Sequence, residues 1–68
     1  MKYQKIVDEV EQHIAENFEF YYNSDIPVFD IPRKYLKEKY GEFLPDEERE
    51  RIVRMVVNDI IWGEFNEN

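Results

Sequence analysis

The clearest pattern in the chain begins at Tyr3. Tyr3, Ile6, Val7, Val10, Ile14 and Phe18 recur at intervals of three and four, the spacing that places side chains on one face of a helix. At about 100° per residue they fill a stripe roughly 120° wide. Asp8, Glu9, Glu11, Gln12 and Glu16 fall outside it. So narrow a stripe predicts a first helix that packs on one side and keeps an acidic back in water. Asn17 suits its end.

The pattern then changes. Residues 18–31, FEFYYNSDIPVFDI, are rich in aromatic and β-branched side chains and contain the turn chemistry of NSDIP. EFYY and PVFD either pair as a short hairpin or drape over the helices, with Phe20, Tyr22 and Phe29 turned inward. A short second helix follows in IPRKYLKEKYG. Pro32 suits the first helical position, Asp30 stands close enough to cap, and Gly41 suits a left-handed exit. Tyr35, Leu36 and Tyr40 point inward, with Arg33, Lys34 and Lys37 on the other face.

The third helix opens at LPDEERER. Pro45 stands at the N-terminal position, and Asp46, Glu47 and Glu48 complement the positive end of the helix. Ile52, Val53, Val56, Val57, Ile60 and Ile61 cover an arc of roughly 180°, which requires packing from two directions. This is the predicted core helix, and it runs to Gly63. Met55 and Trp62, one heptad apart, fall outside the arc on a second stripe beside Arg51. Within the chain only residues 18–31 or Phe65 stand where they could cover it. The fold class is therefore mainly α: a small three-helix bundle over residues 1–68, one domain, with a strand or hairpin between the first two helices as the open alternative.

Composition narrows the function more than the fold. The chain has 68 residues, no cysteine, a single histidine and a formal charge of −7. Disulfides and the usual Cys/His zinc sets are excluded. No run approaches the ~20 apolar residues of a membrane span, and MKYQKIVDEVEQ does not read as a signal peptide. The expectation is a cytoplasmic protein with no membrane partner. Apolar residues at 43% and aromatics at 16% are too rich for intrinsic disorder.

Candidate chemistry is sparse. Adjacent acids such as Asp8/Glu9 and Glu47/Glu48 diverge on a helix and read as solvated charge. His13 lies at the edge of the first stripe with no activating partner in view. There is no phosphate-binding loop, dinucleotide fingerprint or nucleophile motif. No catalytic residue, cofactor or metal is expected, and the chain is not read as an enzyme.

Charge is uneven. Residues 1–30 carry two lysines against seven acids, whereas residues 31–54 carry seven basic residues against six acids. The second and third helices, with glycine between them, resemble a helix-turn-helix, and the order of elements is similar to that of winged-helix domains. That resemblance implies a DNA-binding regulator using Arg33, Lys34 and Lys37. Asp46, Glu47, Glu48 and Glu50 oppose it, because they open the helix that would meet phosphates and base edges. Nucleic acid is accordingly a disfavoured partner. The opposite use of charge is an acidic first helix, with Glu9, Glu11 and Glu16 as contact residues. They would stand in for DNA phosphates in the basic groove of a nucleic-acid enzyme, as phage-type inhibitors do.

The reading preferred on sequence is a small acidic, non-catalytic regulatory module that acts through a protein interface, with homodimer formation as one form of it. The surplus of aromatics supports it, since Trp, Tyr, Phe and Met are enriched at interface cores. Its expected contact residues are Arg51, Met55, Trp62 and Phe65.

Overall fold

A computed structural model describes residues 3–63. Four α-helices follow one another: α1 (Gln4–Glu16), α2 (Phe18–Tyr22), α3 (Asp30–Tyr40) and α4 (Asp46–Trp62), with a 3-10 turn at Gly41–Phe43. The three long helices are the three that periodicity predicts. No strand occurs among the described residues.

The segment FEFYY is one short helix, neither a hairpin nor a drape, and its ends show why. The chain bends at Asn17, whose side chain donates to the carbonyl of His13 at 2.8 Å while its amide bonds His13 and Ile14. Asn23 closes α2 in the same way, side chain and amide both reaching the Glu19 carbonyl. Ser24 donates from amide and hydroxyl to the Tyr21 carbonyl. The carbonyls of His13, Glu19 and Tyr21 thus find local donors at these bends, in the side chains as well as the amides of Asn17, Asn23 and Ser24. The inward set also differs from expectation. Phe20, Tyr22 and Phe29 are exposed, and Tyr21 is the ring that packs on the core.

α4 is the central element, packed against both α1 and α3, which also touch each other. The core is wholly aliphatic. Val7, Val10 and Ile14 come from α1, Ile31 and Leu36 from α3, and Ile52, Val53, Val56 and Val57 from α4, with Leu44 closing the end. No polar residue is buried among the described residues. Burial follows the predicted arc of α4 except at its last turn, where Ile60 is half-buried and Ile61 is 66% exposed. Ile61 occupies one edge of the 180° arc, and neither neighbouring helix covers that edge.

Gly63 ends α4 in the left-handed conformation, at φ 73° and ψ 13°. Gly41 ends α3 at φ 52° and ψ −128°, outside the left-handed helical region expected of it, though a positive φ still favours glycine. Pro32 sits two residues further into its helix than expected, since α3 begins at Asp30.

Leu36 has no exposure at all. Leu36→Ala should cost about 2–5 kcal/mol, a large share of a small domain's stability, and lower the urea midpoint steeply. Phe43 is 94% exposed, so Phe43→Ala should move the midpoint by no more than about 0.5 kcal/mol.

Candidate functional site

Glu9 accepts hydrogen bonds from three side chains of one neighbouring helix. It lies on α1, half-buried, facing α3. One carboxylate oxygen accepts from Tyr35 Oη at 2.6 Å and from Lys39 Nζ, and the other accepts from Tyr40 Oη at 2.7 Å. Burial pushes the carboxyl upward, but the hydrogen bonds from Lys39, Tyr35 and Tyr40 outweigh it and hold the group below its ordinary value. The same bonds raise Tyr35, Tyr40 and Lys39. A carboxylate committed to three donors is a fastener between two helices.

That commitment changes the acidic surface expected of the first helix. Glu9 turns toward α3, Glu11 is half-buried, and Glu16 is exposed and accepts from Gln12 at 2.9 Å. The three carboxylates do not share a face.

Beside Glu9, an open cleft of about 410 Å3 is lined by His13, Phe20, Tyr21, Lys34, Tyr35 and Lys39, among others. His13 Nε2 lies 2.7 Å from Tyr21 Oη, its Nδ1 lies 3.4 Å from Asn17 Nδ2, and Tyr35 packs on its ring at 4.5 Å. Both ring nitrogens therefore face neighbours within the fold, and no carboxylate orients the ring as a general base would need. Among the described residues no group of three or more His, Cys, Asp or Glu could hold a metal ion.

A second fastener joins α3 to α4. Arg33 reaches Glu50 with two nitrogens, at 2.8 and 2.9 Å, and Asp30 with a third at 2.7 Å. Hydrogen bonds from Arg33 lower Glu50 against the upward push of burial. Such forked pairing is the strong kind. α3 carries four basic residues: Arg33 and Lys39 are engaged in the two fasteners, and Lys34 and Lys37 are exposed. At the start of α4, Asp46 and Glu47 are exposed, and Asp46 pairs with Arg49 at 2.9 Å.

The outward face of α4 is different in kind. Arg51, Arg54, Asn58, Ile61 and Trp62 are exposed there, and Met55 is half-buried against the core. Trp62 is 73% exposed, and its indole nitrogen donates to Asn58 at 3.1 Å, one turn back. That bond pins the ring along the helix with its face in water. On the helical wheel Trp62 lies nearly opposite Ile60 and the core arc, so residues 18–31, which pack toward Ile60, do not shield it. Arg51, Met55 and Trp62 are thus aligned on one side of one helix. Phe65 lies outside the described residues.

The aromatic segment supplies surface that periodicity did not reveal. Phe18, Tyr22, Val28 and Phe29 are 39–75% exposed, and the Phe18 and Tyr22 rings stack at 5.7 Å. The one signal in the sequence was that Ile14, Phe18 and Tyr22 continue a four-residue spacing across Asn17.

No family model, no curated protein and no solved structure matches the chain. No described helix is long and apolar enough to cross a membrane.

The two fasteners make the fold sensitive to acid. Both glutamates are depressed in the native state relative to an ordinary value of 4.5. Their contribution is complete above that value and is lost as pH falls through the lower folded values. Tyr35 and Tyr40 act in the other direction, helping below an ordinary value of 10.0 and failing as pH rises through their raised ones. Urea midpoints measured against pH should fall on both sides of a neutral plateau. Glu9→Gln should lower the plateau and flatten both limbs, and unchanged limbs would show that Glu9 does not govern them.

Proposed function

We propose that this protein is a non-catalytic interaction module that works through the outward face of α4, with Trp62 as its anchor. The observation that carries the reading is the exposure of Trp62 and Ile61 side by side on the last turn of a helix whose other face supplies four fully buried core residues. Exposed large apolar groups gathered on one face mark interaction sites more often than solitary ones do. Trp and Arg are the commonest hot-spot residues at such sites, and Arg51 lies on the same stripe.

A second copy of the chain suits this face. Arg51 and Trp62 are separated along the axis by about 16 Å at 1.5 Å per residue. In an antiparallel pairing of two α4 helices, Arg51 of each copy meets the indole of the other, a cation–π contact made twice. Each subunit carries a net charge of −7, so long-range repulsion opposes this association and salt should strengthen it. A regulatory role follows if the face is shared between self-association and another protein, because the two would compete.

Sedimentation velocity over a wide concentration range tests the reading. The wild-type protein should associate reversibly, more tightly at higher salt. Trp62→Ala should weaken association about tenfold or more, the usual loss at an interface hot spot, with the far-UV circular dichroism and urea midpoint unchanged. Association indifferent to Trp62→Ala, or a variant that melts as a monomer, would overturn it.

A further inference from the structure

The α4 face does not account for the aromatic surface on the other side of the molecule. Where the C-terminal end of α1, the short α2 and the following loop meet the end of α4, an open apolar groove of about 280 Å3 is lined by residues including Ile14, Phe18, Tyr22, Val28, Ile31 and Ile60. Its rim is exposed: Phe18 by 48%, Tyr22 by 75% and Val28 by 39%. The groove is smaller than most pockets for small molecules, which run from about 300 to 1,000 Å3, and it is open along its length. It has room for one or two apolar side chains from a chain laid across it.

Charge identifies that chain. No lysine or arginine occurs between Lys5 and Arg33, a span with seven carboxylates. Neither the lining residues nor their immediate neighbours in sequence include a lysine or arginine. Lys34 and Lys39 line the adjoining cleft beyond Tyr21 and Ile26, and Lys39 is committed to Glu9. Glu19, Asp25, Asp30 and Asp59, by contrast, all stand next to lining positions in sequence. Of these, Asp30 is spent on Arg33. The last turn of α4 holds no basic residue, so the negative end of its dipole is left without a complement. The stacked Phe18 and Tyr22 rings also present faces that attract ammonium and guanidinium groups.

We propose that this groove is a second docking site, distinct from the outward face of α4, and that its occupant is a cationic amphipathic helix of another protein. Leucine-type side chains of the occupant enter the groove, and its lysines or arginines meet Glu19, Asp25, Asp59 and the end of α4. This is the helix-in-groove mode of recognition, with the acidic rim supplying steering and selectivity. A second copy of this chain is a poor occupant, since, unlike the face of α4 with Arg51 and Arg54, this groove is flanked by carboxylates with no basic residue among its lining positions, and a copy brings a net charge of −7.

The test uses the full chain and a synthetic helix with a leucine face and a lysine face, titrated by calorimetry. Binding should saturate at one peptide per chain and weaken several-fold as salt rises to about 0.5 M, where the screening length falls below about 5 Å. Phe18→Ala with Tyr22→Ala should weaken it about tenfold or more. Should that pair disturb the fold, Glu19→Gln with Asp25→Asn, both at exposed positions, should still weaken it several-fold. Trp62→Ala should bind the peptide as the wild type does. Equal binding of a lysine homopolymer, or of the same helix with glutamate for lysine, would overturn the proposal. So would absence of binding, or full affinity in both paired variants. A loss caused by Trp62→Ala instead would assign the peptide to α4 and remove the groove, while leaving the self-association measurement to stand or fall by its own result.

Discussion

A helix with neighbours on one side only is half a core, and that constraint governs this protein. α4 carries the aliphatic residues that α1 and α3 bury, yet two neighbouring helices cannot surround it. The outward half of α4 has to be settled with water or with another molecule. Along its first turns the settlement is polar, through Glu47, Arg51 and Arg54. Toward the end it is not, and Ile61 and Trp62 stand in solvent. The same shortage of cover acts on α2, which is too short to bury its own rings and leaves Phe18 and Tyr22 at the surface. Small size thus produces both of the exposed apolar surfaces.

Around this core the polar contacts form a rim. Glu9 with Tyr35, Lys39 and Tyr40 fixes α1 against α3, and Arg33 with Glu50 fixes α3 against α4. Each set places a carboxylate on one helix and its donors on the next, so both set how the helices are rotated and how far they slide. They also consume charges that a reading of composition would leave available to partners. Glu9 is the clearest instance, an acidic residue of α1 whose charge is used within the fold.

Much of this was legible in the chain. The stripe from Tyr3 to Ile14 and the arc from Ile52 to Ile60 report their burial directly, because period and length agree. Asp46 to Glu48, Pro45, Gly41 and Gly63 mark the stops by known chemistry. Phe18–Tyr22 was not legible. Aromatic residues in a run lean toward strand, and the helix that forms instead rests on Asn17, Asn23 and Ser24 turning back on carbonyls three or four residues away. The fasteners were hidden for another reason. Glu9 and Tyr40 are 31 positions apart, and no local pattern distinguishes a carboxylate that faces a neighbouring helix from one that faces water. Trp62 was legible as a ring outside the core arc, and the structure adds that Asn58 holds it along the helix.

The wholly aliphatic interior has one more consequence. Aliphatic side chains packed with no buried polar residue among the described residues give a cohesive centre that is poor at choosing among alternative arrangements, since many interdigitations of branched hydrocarbon have similar energy. The choice of one arrangement falls to the polar rim. Were both fasteners cut together, the expected product would be a collapsed ensemble, still helical but with side-chain order lost and a dye-binding interior. Uniqueness in this fold is written at its periphery.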